Sequence, residues 1–542
     1  MILTLSRRWS FSALLIVVII ASPLAALVFQ ALLPSADVFT HLRDTVLSQY
    51  IVNTLLLVGL VAVGALLLAL PAAFWVARCD FPGRSWLQWA LLLPLSMPAY
   101  IVAYVYTDLL DYAGPVQRTL RSVFGWQTSH DYSFWQVRSL SGAAVMLALV
   151  LFPYIYLLGR AAFMEQSVHL PQAAKVMGAS SWQVFWRISL PLARPALAVG
   201  VALVAMETAA DFATVSYFAV PTLTTGVYDA WLGYGSMTTA ARLSLMILML
   251  VLLLVGSERF ARRKQQLFQK SGQVAAIELL PLARWQAWLV TAYCLLLLLL
   301  AFAIPMAVLI SYSIHYFAVS WHSNFWQYSL NSLGLAAVVS VLCLLFALCL
   351  QFVSRVSPRK LDAMPARLCT LGYALPGTVL AIAVLIPLTW LDFAINDGMH
   401  FLGLPEPGLL LTGSLVALVL AFCIRFAAIA IGSIEGSYKR ISPSLDMAAL
   451  TMGSQPWRLF AQVHLPLLKK GAVVAMLLVF IESMKELPAA LLLRPIGYEN
   501  LATYVFQYVS DEQLEHAALG AVVIVLVGLL PLFLLNRSME QQ

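Results

Sequence analysis

Residues 172–191 read QAAKVMGASSWQVFWRISLP, and 275 positions later residues 447–466 read MAALTMGSQPWRLFAQVHLP. Ala173 and Ala174 recur as Ala448 and Ala449, Gly178 as Gly453, and Phe185 as Phe460. The closing Leu190-Pro191 recurs as Leu465-Pro466. Both copies lie between long apolar runs, yet each is too polar to be such a run itself. Small side chains at Ala173 and Ala174 let a short helix approach another surface closely. Gly178 permits a tight bend between two short helices. Ser180 or Ser181 can cap the second helix, and Pro456 suits its first turn in the other copy. Trp182, Phe185, Trp186 and Ser189 recur at helical spacing and make one adhesive face. Pro191 reads as the stop of this helix. Such an element has the form of a helix that sits in another protein's groove. The plainer alternative is a pair of interfacial helices with no partner.

The rest of the chain belongs to a membrane. It is 62% hydrophobic and 11% charged, against about 25% charged in ordinary soluble proteins. The apolar residues are grouped in runs of about 20, the length of a bilayer-crossing helix. The fold class that follows is an all-α polytopic bundle, because backbone in lipid must satisfy its own hydrogen bonds. Spans are expected near 11–33, 51–76, 86–109, 141–163, 195–218 and 238–256. A second set is expected near 285–312, 330–353, 366–390, 408–430, 471–493 and 516–536. That makes about twelve helices in two repeats of six: a first half, 1–257, a cytoplasmic linker, 258–284, and a second half, 285–542. Asn53-Thr54 and Asn331-Ser332 each open a span, offset by 278. An even number of spans per half makes the repeats parallel.

Charge sets the orientation. With both repeated loops in the cytoplasm, both termini and the basic stretch 258–270 follow them there. Of the 32 Lys and Arg, Arg43, Arg118, Arg121 and Arg138 then lie outside. Arg242, Arg425, Lys485 and Arg494 lie in or at the edge of spans, leaving 24 on the cytoplasmic side. This is the distribution that the positive-inside rule requires. The net charge of +7 is accounted for by these loops and does not argue for nucleic acid. Six Cys lie in apolar runs or at their edges and imply no disulfide framework. The outer loops 110–140 (Trp126, His130, Asp131, Trp135) and 391–407 (Asp392, Asp397, His400, Glu406) could dock a partner; each residue alone reads as solvated loop.

After each repeated loop comes a span with acids. The first holds Glu207 and Asp211, the second Glu482, Lys485 and Glu486. Both acid pairs are spaced i, i+4, which on a continuous helix puts the two carboxylates on one face. A charge at bilayer depth costs about 2.5–3.5 kcal/mol on insertion scales, so such groups face a cavity or a partner. One reading is a lining for a cation; the other is structural pairing, with Lys485 serving Glu482 or Glu486. Pro488 would bend or unwind the second helix. Tyr217, Tyr228, Tyr498, Tyr504 and Tyr508 add phenolic oxygens nearby, which with carboxylates suit a hard cation.

The loop pattern Ala-Ala-x3-Gly-x6-Phe-x2-Ile/Val-x-Leu-Pro resembles the ATPase-coupling loop of binding-protein-dependent ABC importer permeases. That family usually begins the motif with Glu, where this chain has Gln172 and Met447, with Asp446 one place earlier. METAADFATVSYFAVPTLTTGVY (206–228) and MKELPAALLLRP (484–495) are similar to the two-half permeases of ferric-iron importers, with Ala213 where that pattern has Gly. The resemblance implies a type I importer permease fold and import of Fe(III) by alternating access. It implies two partners, a periplasmic iron-binding protein and a separate ABC ATPase subunit, a homodimer. It assigns coupling to Ala173, Ala174, Gly178, Phe185, Leu190, Pro191 and to Ala448, Ala449, Gly453, Phe460, Leu465, Pro466. Glu207, Asp211, Glu482 and Glu486 are the candidates for the substrate pathway. Thiamine and polyamine importers share the architecture. No Gly-Lys dipeptide occurs, so the chain lacks a Walker A phosphate cradle and should bind no nucleotide or other cofactor itself. Two other classes stay open: an ion-coupled secondary transporter using the acids as a proton relay, and a membrane enzyme, for which neither H-E-x-x-H nor G-x-S-x-G is present.

Overall fold

The structure, a computed structural model, describes residues 7–34, 38–166, 169–265, 279–321, 323–356, 364–369, 372 and 375–540. The helices that frame the sites are numbered in chain order: α1 (Arg7–Leu32), α2 (Leu47–Arg78), α3 (Ala99–Leu110), α4 (Leu140–Met164) and α5 (His169–Val176). They continue as α6 (Leu190–Ala210), α7 (Ala213–Tyr217), α8 (Met237–Gln265), α9 (Arg284–Leu298), α10 (Ser323–Val356) and α11 (Gly377–Phe401). The last are α12 (Leu415–Tyr438), α13 (Pro443–Thr451), α14 (Leu465–Lys485), α15 (Pro488–Leu493) and α16 (Leu514–Glu540). Among the described residues, ten helices are long and apolar enough to cross a membrane, and an apolar helix, Leu514–Leu530, follows near the end. The only strand pairing described is a parallel contact of Cys79–Asp80 with Leu280–Pro281. Most of the expected linker, 266–278, lies outside the described residues.

The span expected at 86–109 is broken. Arg84–Ser96 and Ala99–Phe124 meet at 92°. Met97 is extended (φ −102°, ψ 122°) and Pro98 follows at φ −59°, ψ 137°. A residue before proline is pushed out of the helical region, and the missing N–H forbids a helix from running through. Pro376 does the same 278 positions later, at φ −56°, ψ 142°, where α11 begins.

The chain divides into two compact units. One contains Thr45–Thr225, Met249–Ser320 and Tyr508–Gln542; the other contains Met1–Asp44, Gly226–Leu248 and Trp321–Gln507. In the first, α2 packs along α4, with Ala65, Ala69, Ala72 and Ala73 fully buried. Lipid supplies little hydrophobic drive between helices, so close backbone approach through small residues carries the association. A Cβ on Gly200 of α6 would come within 2.9 Å of the Ile155 Cα. The helix α9 joins this unit through Tyr293, whose hydroxyl donates to the Leu68 carbonyl at 2.9 Å, and Thr291, which donates to the Pro82 carbonyl at 2.9 Å. In the second unit α10, α12 and α14 form the core, and α1 packs on α11, with Phe29 edge-on to Trp390. Arg242 of α8 donates to the carbonyls of Ala31 (3.0 Å) and Leu33 (2.9 Å). It thereby satisfies acceptors that the end of α1 leaves orphaned.

Each unit holds the same clamp. Asn53 Nδ2 donates to the Pro221 carbonyl at 2.9 Å, and Thr54 Oγ1 accepts from Leu223 N at 3.0 Å. In the second repeat Asn331 Nδ2 donates to the Glu499 carbonyl at 2.8 Å, and Ser332 Oγ accepts from Leu501 N at 2.7 Å. The Asn-Thr/Ser pair therefore pins the start of a short helix, Leu223–Tyr228 or Leu501–Ser510, against a spanning one. Replacing Asn53 or Asn331 by Ala strands a carbonyl and should cost about 1–3 kcal/mol. Thermal unfolding of the detergent-solubilised chain checks this, and an unchanged midpoint in both variants would remove the clamp from the stability account.

Candidate functional site

The repeated loops fold alike. In each, a short helix (α5, α13) ends at a glycine with positive φ, +89° at Gly178 and +75° at Gly453. That left-handed region costs residues with a Cβ about 1–2 kcal/mol. Ser180 Oγ then accepts from Gln183 N while Gln183 Oε1 accepts from Ser180 N, a capping box. Pro456 occupies the first turn in the other copy. Met177 and Met452 are both 81% exposed, Trp182 69% and Trp457 62%, at matching positions. Ala174 and Ala449 are buried against their own chain, whereas Ala173 and Ala448 are exposed. The expected four-residue face is split: Phe185 packs edge-on to Phe74 at 4.7 Å and Ser189 is buried, so Trp182 and Trp186 form the exposed part.

Pro191 and Pro466 do not stop a helix, contrary to the expectation from the sequence. They stand in the first turns of α6 and α14, and helix runs unbroken through Trp182–Ala210 and Pro456–Lys485. A π turn, Phe185–Ser189 or Leu459–His464, precedes each. Leu190 N donates to the Phe185 carbonyl and Leu465 N to the Phe460 carbonyl, one residue further back than in an α-helix. The widened turn gives the proline ring room that an α-helical turn denies it. The loop is thereby continuous with a membrane helix.

At the far ends of those helices the four acids divide into two kinds. The expectation that each pair shares one helix face is corrected, because α6 ends at Ala210 and α14 at Lys485. Asp211 (ψ 132°) and Glu486 (ψ 115°) are extended. The Asp211 carboxylate accepts from Thr214 N (3.1 Å), Thr214 Oγ1 (3.0 Å) and Val215 N (3.2 Å) and so caps α7. Glu486 accepts from Ala489 N at 3.3 Å and pairs with Arg425 Nε at 3.0 Å. Arg425 also donates to the Leu375 carbonyl, which ties the broken span before α11 to the break after α14. The helix ends just before Pro488, which starts α15; Ala213 holds the matching place in the first repeat, so the break does not require a proline. Glu207 and Glu482 remain on helix, half-buried, and Lys485 lies 3.3 Å from Glu482.

The nearby tyrosines are engaged in packing: Tyr217 stands edge-on to Tyr104, Tyr504 leans on Tyr328, and Tyr508 stacks on His516. The Tyr498 hydroxyl donates to the Asn331 carbonyl. Among the described residues no three His, Cys, Asp or Glu side chains are gathered to hold a metal ion. The loop 110–140 is ordered by its own aromatics, Phe124, Trp126 and Tyr132 in a stack. Backbone N–H groups of Thr128 and Gln127 cap Asp131 and hold its carboxyl below the usual range. Asp392, expected in a solvated loop, is instead fully buried near the end of α11, accepting from Leu411 N, Thr412 N and Thr412 Oγ1. Sequence reasoning missed a polar cavity of about 430 Å³ lined by Tyr104, Asp108, Asp111, Arg138, Tyr217 and Glu512. Arg138 bridges Glu512 and Asp111 there.

The two basic partners make a contrast that can be measured. Arg425→Met strands the buried Glu486 charge and should destabilise the chain by about 3–5 kcal/mol. Lys485→Met removes a partly exposed pair and should cost about 1 kcal/mol or less. Unfolding midpoints in detergent read both; equal shifts would show that Arg425 is not what neutralises Glu486.

Comparison with known proteins agrees with this duplicated arrangement. The profile described as "Binding-protein-dependent transport system inner membrane component" matches twice, at residues 65–266 and 344–542. The Fe(3+)-transport system permease protein FbpB 2 of Haemophilus influenzae is 25% identical over 98% of this chain and 99% of its own length. A ferric transport system permease protein FbpB of Actinobacillus pleuropneumoniae is 21% identical over 90% of this chain and 70% of its own. The molybdenum transport system permease ModB of Escherichia coli strain K12 is 32% identical over 36% of this chain and 88% of its own length. Two copies of one permease module in a single multi-pass chain, each with its own loop and broken helix, place this protein in the family of inner membrane components of binding-protein-dependent transport systems.

Proposed function

We propose that this chain is the membrane-spanning subunit of an ATP-driven importer that moves Fe(III) from a periplasmic binding protein into the cytoplasm. The observation that carries the reading is the pair of matching loops, each presenting exposed Met and Trp and each continuous with a membrane helix that ends at a capped acid. A partner that pushed both loops would act directly on α6 and α14. That partner is a separate ATPase subunit, a homodimer matching the two similar loops, since the chain holds no Walker A sequence. Closure of the ATPase pair on ATP draws the loops together, and the halves alternate between outward and inward access. Glu207 and Glu482 are the pathway acids in this reading, while Asp211 and Glu486 hold the helix breaks. Support for Fe(III) as cargo comes from the whole-length likeness to an Fe(3+)-transport permease. Thiamine, polyamines and, from the half-length likeness to ModB, molybdate are the competing cargoes.

Uptake into proteoliposomes that contain this chain and its ATPase tests the reading, with labelled Fe(III), thiamine, spermidine and molybdate each supplied on its own carrier. ATP-dependent iron accumulation is expected; entry of another cargo alone would overturn the iron assignment. Gly178→Pro and Gly453→Pro should abolish uptake, and normal uptake with normal ATPase assembly would overturn the coupling role. Glu207→Gln with Glu482→Gln should lower uptake by about tenfold or more with assembly intact, in line with the cost of an intramembrane charge contact. Vanadate-insensitive uptake that collapses with the proton gradient would indicate a secondary transporter instead.

A further inference from the structure

The second coupling loop is fastened to its membrane helices through one carboxylate. Asp446 stands in the first turn of α13, and its carboxylate turns back into its own chain. Oδ2 accepts from Arg355 Nε at 2.7 Å, and Oδ1 lies 2.9 Å from His464 Nε2. The His464 ring is fully buried, with Nδ1 3.2 Å from the Tyr438 hydroxyl and Phe352 edge-on to it. Arg355 also donates to the Ile441 carbonyl at 2.9 Å, just ahead of α13. The Asp446 carboxylate of α13 thus holds Arg355 of α10 and His464 of the π turn before α14, and His464 in turn meets Tyr438 of α12. Charge-assisted hydrogen bonds of this length are among the stronger ones, and an acid in a first helical turn is further stabilised by the helix dipole.

The three residue types do not recur in the first repeat: the residues 275 positions before Asp446, His464 and Tyr438 are Pro171, Ser189 and Phe163. There Arg78 donates to the Gln166 carbonyl at 2.7 Å, and Gln166 Nε2 to the Ser189 carbonyl at 2.8 Å.

We infer that Asp446 is a positioning residue that locks the second coupling helix to the membrane helices, so that α13 moves as one body with α10, α12 and α14. The second loop is then a stiff lever. A push delivered to α13 passes through the carboxylate to three helices at once. This rests on the reading of the loops as ATPase docking elements.

Hydrogen exchange on the full chain in detergent, without any ATPase, tests the lock itself. In Asp446→Asn the amides of 443–451 should exchange about tenfold faster than in the unaltered chain, while those of 172–176 stay unchanged. Asp446→Glu should keep most of the protection. Tyr438→Phe, which removes one hydroxyl and no charge, should raise exchange about fivefold or less and serves where the Asn variant does not fold. Unchanged exchange in 443–451 would overturn the lock. With the ATPase added, Asp446→Asn should still co-purify with it yet lose about fivefold or more of the hydrolysis stimulated by the binding protein. Asp446→Asn with Arg355→Met should be no worse than either alone, because both remove one interaction. Loss of ATPase co-purification with exchange unaltered would place Asp446 at the partner's surface and overturn the inference. Faster exchange with full stimulated hydrolysis would overturn the lever role. An unaltered chain that binds no ATPase at all would sink the docking reading and leave the exchange result standing.

Discussion

A helix that ends inside a membrane leaves carbonyls and N–H groups with no water to satisfy them. Both repeats meet this constraint at the same place. α6 and α14 stop after about six turns, and in each the next residue is an acid whose carboxylate takes over the N–H groups of the helix that follows. The Asn-Thr/Ser clamp on α2 and α10 then fixes the next short helix. Between Asp211 and Leu223 and between Glu486 and Leu501 the chain is broken into one short helix with irregular flanks, which can exist at this depth only because side chains replace missing backbone partners. Each long helix thus ends at a break, while its other end carries an exposed loop.

The two repeats solve the same geometry with different chemistry. The first uses Thr214 and an uncharged setting around Asp211, with Thr224 closing over the Asp211 carbonyl. The second uses a full ion pair, Glu486 with Arg425, and the proline at 488. At the loop end of α14 a carboxylate, a guanidinium and an imidazole meet, and the positions that match the carboxylate and the imidazole in the first repeat are proline and serine. The second repeat thus has an ionic tie at each end of its long helix.

Much of this was legible in the residues. The loops stood out because polar and bulky apolar side chains were mixed in the same order twice, a pattern that lipid-facing helix does not need. The acids stood out as positions, 207 and 211 against 482 and 486, but their roles did not. Nothing around Ala210 announces a stop: Ala209, Ala210 and Ala213 are ordinary helix formers, so the i, i+4 spacing read as one face. The same blindness turned Pro191 into a terminator, since a π turn leaves no mark in composition. Broken third spans could have been found by noting that Pro98 and Pro376 share the 278 offset of Asn53 and Asn331. Which helix packs with which was out of reach. Membrane helices are apolar on every side, and the partner of Glu486 is an arginine 61 positions away that could have served other groups.

The placement of α1 has a bearing on how the chain is made. It is made before α10 and α11, on which it packs, within a unit otherwise built almost wholly from later residues. Between Leu32 and Gly377 the ribosome must add 345 residues, which at roughly 5–20 residues per second takes roughly 20–70 s. Until then α1 has to persist in the bilayer without its full set of neighbours. Its apolar stretch Phe11–Leu32, with no ionisable side chain, is suited to waiting. The order of synthesis and the order of packing are therefore different for this helix, which has to be seated long after it is made.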